Sequence, residues 1–430
     1  MNRKNNFFLG SLSNPPRHLT GVDELFELEQ PYLLCTFLPY YLDPEGNVWL
    51  DRLWHRDLTE HLIYLKNLKV AAPCYKKKID QPDLVQVEHQ ADCQPEFLPL
   101  PRMESLVSAI LRLPKACFVL WKAIGKVKIV HSGIVGWPFP IGWLANSIAL
   151  LRGRKLFLVV ESASWRIVDV EKAGWKKRLR ARITECLGRF FVNRADLSIF
   201  TQPAYHQSLM TRGKGRGIVI PASWIHEKEI IDRNELQLLW ERKNPLREDQ
   251  CRFLFPARLT VEKGVRVLLK ALQILTVEKV SCRIDIIGEG PLREECVREI
   301  NKLKTFEASV LEPVNYGEPF FKCLREYHCV LVPSLSDEQP RIVFDAYSQG
   351  LAVLAANTDG LRPYVIEGET GWLVPANDSR ALASKIREII HAPSQLKECG
   401  IRAVDHAHLL THQLMHRRRW KVLLEYFGCT

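Results

Sequence analysis

The chain has 430 residues, 47% of them apolar and 25% charged, with a formal net charge of +11 and a pI near 9.0. That length supports two or three domains with full cores, and that composition excludes a disordered or fibrous protein. The cationic surplus favours an anionic partner, whether nucleotide, acidic lipid or nucleic acid, and no run of about 20 apolar residues offers a membrane span. The start, Met1-Asn-Arg-Lys-Asn-Asn-Phe-Phe8, lacks a signal-peptide pattern, and the 12 cysteines form no C-x-x-C pair. Both features predict a cytoplasmic protein with reduced thiols, peripheral at most on the inner face of a membrane.

Taken in order, residues 1–30 are polar and irregular, an arm on the first domain. Tyr32–Leu38 reads as a buried strand ending at Pro39, and a loop over Tyr40–Val48, turning at Gly46, leads into a helix through about Leu62. Residues 75–103 read as a loop-rich insertion. Leu106–Ile124 is apolar but broken by Arg112, Pro114, Lys115 and Lys122, which predicts a core or interfacial helix. Strand Val127–His131, a helix to Leu151 and strand Leu156–Val160 follow. Alternating strands and helices imply a doubly wound parallel sheet, whose ligands sit beyond the strand C-termini. His131, Trp137, Glu161 and Trp165 fall at such ends; for His131 a structural role and a substrate contact both stand. Residues 172–194 carry eight basic residues and one acidic, with apolar residues at helical spacing. Such a helix suits a solvated cationic face or an anionic membrane surface. Gly217–Pro221 reads as the last strand of the first domain.

Residues 226–250 are charged and strandless, a candidate connection. A second unit opens with strand Arg252–Pro256 and the turn Ala257-Arg-Leu-Thr-Val-Glu-Lys-Gly264. Helix Val265–Leu275, strand Cys282–Ile287 and the turn Gly288-Glu-Gly-Pro291 come next. Strand Val330–Val332 stops at Pro333; Pro340 suits the first turn of a helix and Gly350 its end. Asp337 lies on the intervening loop and Asp345 one turn inside the helix. The free N–H groups of that first turn make an anion site, so two carboxylates flank a phosphate-sized positive pocket. From Ala403 the chain is helical, with His408, His412 and His416 at i, i+4, i+8. Metal ligands use that spacing, but Asp405 is the only nearby acid, so a polar helix face is expected and no metal.

Several of these segments resemble the group 1 glycosyltransferases (family 4, GT-B fold). Pro333, Ser334, Pro340, Ala346 and Gly350 keep the frame of that family's Glu-x7-Glu element, with Asp337 and Asp345 in place of both Glu residues. Arg252–Gly264 is similar to its Gly-Arg-Leu-x-x-x-Lys-Gly, with Ala257 replacing the Gly. Gly288–Pro291 resembles its Gly-x-Gly-Pro turn, Val314-Asn-Tyr-Gly317 its nucleobase segment, and Gly368–Pro375 its Gly-x-Thr-Gly-x-Leu-Val. Departures are Asp359 for one of a glycine pair, Pro363 for a common Glu, Gly46 alone for paired glycines, and His131 with Gly133 for His-x-His.

The resemblance implies an α/β GT-B fold: two Rossmann-like doubly wound domains facing a cleft, with a C-terminal helix crossing back. Its parts would be an arm (1–30), an acceptor domain (31–225), a linker (226–250), a nucleotide-sugar domain (251–402) and the returning helix (403–430). It implies a retaining, metal-independent transfer from a nucleotide-diphospho sugar to a glycan or lipid-linked acceptor, without cofactor. Arg258, Lys263 and the helix start, with Gln339, Pro340, Arg341 and Ile342, would hold the diphosphate; two fixed cations neutralise it without a metal. Asp345 would hold the ribose and Asp337 the transferred sugar. Gly290, Asn315 and Tyr316 would meet the nucleotide, Gly46 the donor phosphate, and His131 the reacting groups. Trp137, Glu161 and Trp165 are acceptor-side candidates. The rivals are a nucleotide-sugar epimerase of the same fold and a degenerate basic adaptor; no nucleic-acid motif is present.

Overall fold

The computed structural model describes residues 27–428 except 77–82, 89–93, 137–138, 168–172, 212–214, 244–246, 304–305 and 337–340. They form two compact units, one of residues 27–167, 173–221 and 415–428, the other of residues 222–414. The N-terminal unit holds β1 (Tyr32–Cys35), β2 (Tyr40–Leu42), β3 (Val48–Asp51), α1 (Arg52–Tyr64), β4 (Leu68–Lys76), β5 (Leu84–Gln86) and β6 (Glu96–Leu100). It continues with α2 (Leu106–Ile124), β7 (Ile129–Ser132), α3 (Ile141–Leu151), β8 (Lys155–Val160), α4 (Trp175–Val192), β9 (Leu197–Phe200), α5 (Pro203–Leu209) and β10 (Arg216–Val219). The sheet order is β10-β9-β8-β7-β1-β4-β2-β3-β5, with β6 also on β4. From β10 to β4 every pairing is parallel. Strand residues such as Leu33, Val130, Leu156 and Leu158 are fully buried, as helices on both faces of a parallel sheet require.

Residues 75–103, expected as a loop-rich insertion, carry the end of β4 and the strands β5 and β6, and a second stretch differs from expectation too. Residues 40–51, expected as a loop to Val48 and then the start of a helix, make an antiparallel hairpin of β2 and β3, and β5 adds to its edge. Asp43 closes the hairpin turn by accepting from the Asn47 and Gly46 N–H groups and the Trp49 indole. Helix α2 packs one side into the core and leaves the other exposed. Ala109, Ala116, Leu120, Ala123 and Ile124 are buried, while Leu106, Val107, Ile110, Leu111, Phe118 and Trp121 face outward. The buried side is mostly alanine, so α2 lies close to α3 and keeps its large apolar residues outside.

The C-terminal unit holds α6 (Arg233–Arg242), β11 (Arg252–Pro256), α7 (Val265–Val277), β12 (Arg283–Ile287), α8 (Arg293–Ile300), β13 (Glu307–Leu311), α9 (Glu318–Arg325) and β14 (Cys329–Val332). Then come α10 (Arg341–Ser348), β15 (Ala352–Ala356), β16 (Gly371–Val374), α11 (Ser379–His391) and α12 (Ser394–His408). Its sheet, β13-β12-β11-β14-β15-β16, is parallel throughout. Residues 226–250, expected as a connection, fold into this unit, with Leu236, Leu239 and Trp240 of α6 in its core. The chain order reverses between β11 and β14, and such a switch point is where doubly wound sheets bind ligands.

The last helix, α13 (His412–Phe427), returns to the N-terminal unit from Met415 onward. There Gln30 donates to the Phe427 carbonyl at 2.7 Å, and Arg216 pairs with Glu425 at 3.0 Å. Helix α12 ends at His408 and α13 begins at His412, so the three histidines do not share one helix face. The ten described cysteines are free thiols. Among the described residues no helix is long and apolar enough to cross a membrane.

Candidate functional site

Three loops meet at the C-terminal ends of β11, β12 and β14, and their main chains touch. The Ala257 N–H donates to the Ile287 carbonyl at 3.0 Å, Leu259 to Glu289 at 2.8 Å, and Leu335 to Glu262 at 2.8 Å. Glycine permits this approach. A Cβ on Gly264 (φ +77°) would fall 1.8 Å from the Pro333 carbonyl oxygen, and one on Gly288 (φ +154°) 1.8 Å from that of Ala257. The turns holding Arg258, Lys263 and Gly290 are therefore one assembly with the strand end at Ser334. Ser334 is buried and donates to the Glu262 carbonyl at 3.1 Å, a joint that its place after Pro333 did not reveal. Arg258 is exposed and Lys263 partly exposed, so two cations stand at the switch point.

Helix α10 runs from Arg341 to Ser348, and Gly350 just beyond it takes φ +70° as a left-handed stop. Arg341 is exposed and its guanidinium lies 5.1 Å from the centre of the Trp224 ring, which stacks on His412 at 5.3 Å. Ile342 is partly buried against the core. Asp337, Gln339 and Pro340 lie outside the described residues. One turn into α10, Asp345 is buried, with only 6% of its surface exposed. Its Oδ1 accepts the Tyr316 hydroxyl at 3.0 Å. Burial pushes its carboxyl up to about 7; the Tyr316 hydrogen bond and the Arg341 charge pull it down, and Glu229 raises it further. An open carboxylate was expected here; a carboxyl beneath a tyrosine is found. Tyr316 itself packs edge-on against Phe321 at 5.6 Å, and Asn315 beside it is exposed.

The candidates of the N-terminal unit are arranged differently from expectation. His131 lies within β7, not at its end, paired in register with Leu34 and Phe157. It is buried, its ring 4.4 Å from that of Phe157 and 5.9 Å from that of Tyr32. Burial first, then the neighbouring His61 and Arg419, holds its pKa well below the usual histidine value. It is a core histidine here, because the strand runs one residue further than its apolar pattern suggested. Gly46 sits in the β2–β3 turn at φ +89°, whereas the loop that ends β1 has no glycine. Glu161 is exposed directly after β8, where the pattern put it. Trp165 donates its indole N–H to Glu185 of α4 at 2.8 Å, and Arg166 joins that carboxylate, so Trp165 anchors the loop. Trp137 lies outside the described residues.

Residues 237–405 match the family "Glycosyl transferases group 1". The colanic acid biosynthesis glycosyltransferase WcaL of Salmonella typhimurium (putative in its own description) is 28% identical over 138 residues, 31% of this chain and 34% of its own. The sulfoquinovosyl transferase SQD2 of Arabidopsis thaliana is 30% identical over 138 residues, 31% of this chain and 25% of its own. The chain thus spans about a third or less of the curated relatives it matches. Among solved structures, sucrose-phosphate synthase of Thermosynechococcus elongatus superposes with a TM-score of 0.67 at 19% identity, covering 94% of this chain and all of its own. HepE of Anabaena, solved with UDP and glucose, gives 0.60 at 15% identity, covering 92% of this chain and 99% of its own.

Proposed function

We propose that the protein, whose residues 237–405 match the group 1 glycosyl transferases and whose fold superposes on sucrose-phosphate synthase, moves a sugar from a nucleotide-diphospho sugar to a glycan or lipid-linked acceptor, with retention and without a metal. The observation that carries this reading is the seating of the Arg258–Lys263 turn, the Gly288–Gly290 turn and the Ser334 strand end on one another at the switch point. Arg258 and Lys263 neutralise the departing diphosphate, so charge that develops in the transition state meets fixed cations. Asp345, with the Tyr316 hydroxyl in front of it, holds the ribose; Asp337 holds the transferred sugar. That HepE was solved with UDP and glucose supports a nucleotide-diphospho sugar as donor.

The acceptor side of the reading rests on α2 and α4. Outward-facing Leu111, Ile110, Phe118 and Val107 are 75%, 71%, 69% and 68% exposed, more than scattered surface residues explain. On α4, Trp175 is 70% exposed beside Lys176, Lys177, Arg178 and Arg180, which are exposed too. Apolar side chains next to cations fit an anionic bilayer surface and hence a lipid-linked acceptor. A panel of nucleotide sugars, read by nucleotide release with lipid extract and EDTA present, tests the whole reading. Acceptor-dependent release in EDTA is expected. Release only with added divalent metal would refute the Arg258 and Lys263 roles, and release independent of acceptor would favour the epimerase.

A further inference from the structure

At the opposite end of the same strands, the C-terminal unit has a second concave site. A cleft of about 720 Å³ is lined by Arg242, Lys243, Arg247, Arg252, Lys322 and Arg325, with Glu326 as its acid and Leu239, Gln250 and His328 completing the wall. It opens where β11 and β14 begin, whereas the loops at the switch point follow where they end; β11 alone separates the two by roughly 15 Å. The volume is that of a small-molecule pocket.

The charges in it are not balanced from within. Among the described residues, the guanidinium groups of Arg242, Arg247 and Arg252 make no ion pair. Lys322 reaches Glu318 only at 3.9 Å, and Arg325 meets Glu235 and Glu318 at the same distance while donating to Gln349 at 2.8 Å. The Lys243 ammonium is drawn inward, donating to the Tyr327 carbonyl at 2.5 Å and lying 5.0 Å from the Trp240 ring centre. Cations at helix C-termini are ordinary, because the last carbonyls attract them. That explains Arg242 on α6 and Lys322 and Arg325 on α9. It does not explain Arg247, in the coil before β11, or Arg252, its first residue. His328, buried at the floor, accepts from the Arg252 N–H at 2.9 Å and so stays neutral beside them.

We propose that this cleft binds a small phosphate-bearing polyanion at a site separate from the donor site. The cations supply several donors to one ligand, and Glu326, exposed at the rim, leaves the floor positive. Burial, then the Arg242 and Arg252 charges against the attraction of Glu326, lowers Lys243 to about 7. An incoming anion reverses that balance and draws a proton onto Lys243.

The test is calorimetric titration of inorganic tripolyphosphate into Lys263→Ala protein at pH 8 and low salt, in buffers of different ionisation heat. One equivalent should bind with proton uptake, at least tenfold more weakly in Arg242→Ala/Arg247→Ala on that background, and without proton uptake in Lys243→Met. Both arginines are exposed, so these variants keep the fold, which an unchanged melting temperature verifies. Failure of wild type and Lys263→Ala to bind, or equal affinity with and without the two arginines, overturns the site. Neither result depends on the transferase reading, because the comparison is made within one donor-site background.

Discussion

Asp345 is placed so that removing its charge should stabilise the fold and damage binding together. Burial raises its carboxyl from 3.8 to about 7. At about 1.4 kcal/mol per pH unit, that rise of roughly three units makes ionisation in the folded protein about 4 kcal/mol harder than in the unfolded chain. The sign follows from a folded-state value above the unfolded one: stability is complete below about pH 4 and is lost as pH rises through about 7. Asp345→Asn keeps the shape and an oxygen to accept the Tyr316 hydroxyl but has no charge to bury. Its advantage over wild type should grow by about 1.4 kcal/mol per pH unit from about pH 4 to 7, then level off near 4 kcal/mol. For a unit of this size each kcal/mol is worth about 2–4 °C, so melting curves at pH 4.5, 6, 7 and 8.5 resolve it. UDP and GDP affinities, measured alongside, should fall at least tenfold in the variant. A stability difference constant across the pH series would refute the burial argument, and unchanged nucleotide affinity would remove Asp345 from the site.

Other expectations are more direct. Lys263→Ala should lower turnover by a few orders of magnitude with the fold intact; unchanged kinetics would put the diphosphate elsewhere. Gly264→Ala forces a Cβ into the Pro333 carbonyl at an unfavourable φ, and should cost several kcal/mol or abolish soluble expression. Burial lowers His416 and His328 to about 3, so each folded histidine is neutral where its unfolded form takes a proton. Below about pH 6.5 and down to about 3, each should remove about 1.4 kcal/mol of stability per pH unit, and His416→Gln should flatten the acid side of a urea-midpoint profile. Ile110→Asp with Phe118→Asp should abolish sedimentation with anionic liposomes without changing the melting temperature; retained sedimentation would dismiss the α2 surface.

The C-terminal unit was the more legible half, for a physical reason. Its site is made of main-chain contacts that only particular residues permit, so Gly264, Gly288, Gly290 and Pro333 announce themselves in the sequence. The seat of Asp345 was not legible, since its burial depends on Tyr316, 29 positions earlier, crossing over it. In the N-terminal unit, the strands of three residues at Tyr40–Leu42 and Leu84–Gln86 are too short to show alternation, and read as loop. His131 seemed to end a strand because Ser132 and Gly133 are polar or small, yet pairing continues through Ser132. Of the three histidines spaced by four near the C-terminus, His412 and His416 share α13 while His408 ends α12, because the chain breaks between Leu409 and Thr411.

Because the three loops at the switch point are seated largely by glycine and carbonyl, with the Ser334 hydroxyl as a side-chain joint, some of the side chains along them are not what keeps them in place. Thr260 is partly exposed and Glu289 and Pro291 are exposed, and the hydrogen bonds of Thr260 and Glu289 that seat the loops include main-chain ones: the Thr260 N–H donates to the Arg258 carbonyl and the Glu289 carbonyl accepts from Leu259. A combinatorial library that holds Gly264, Gly288 and Gly290 fixed and randomises these three positions to residues other than proline should therefore retain expression while varying the surface that the loops present. The same library with the glycines opened would collapse, which makes this seam the natural line between what can be redesigned and what must be inherited.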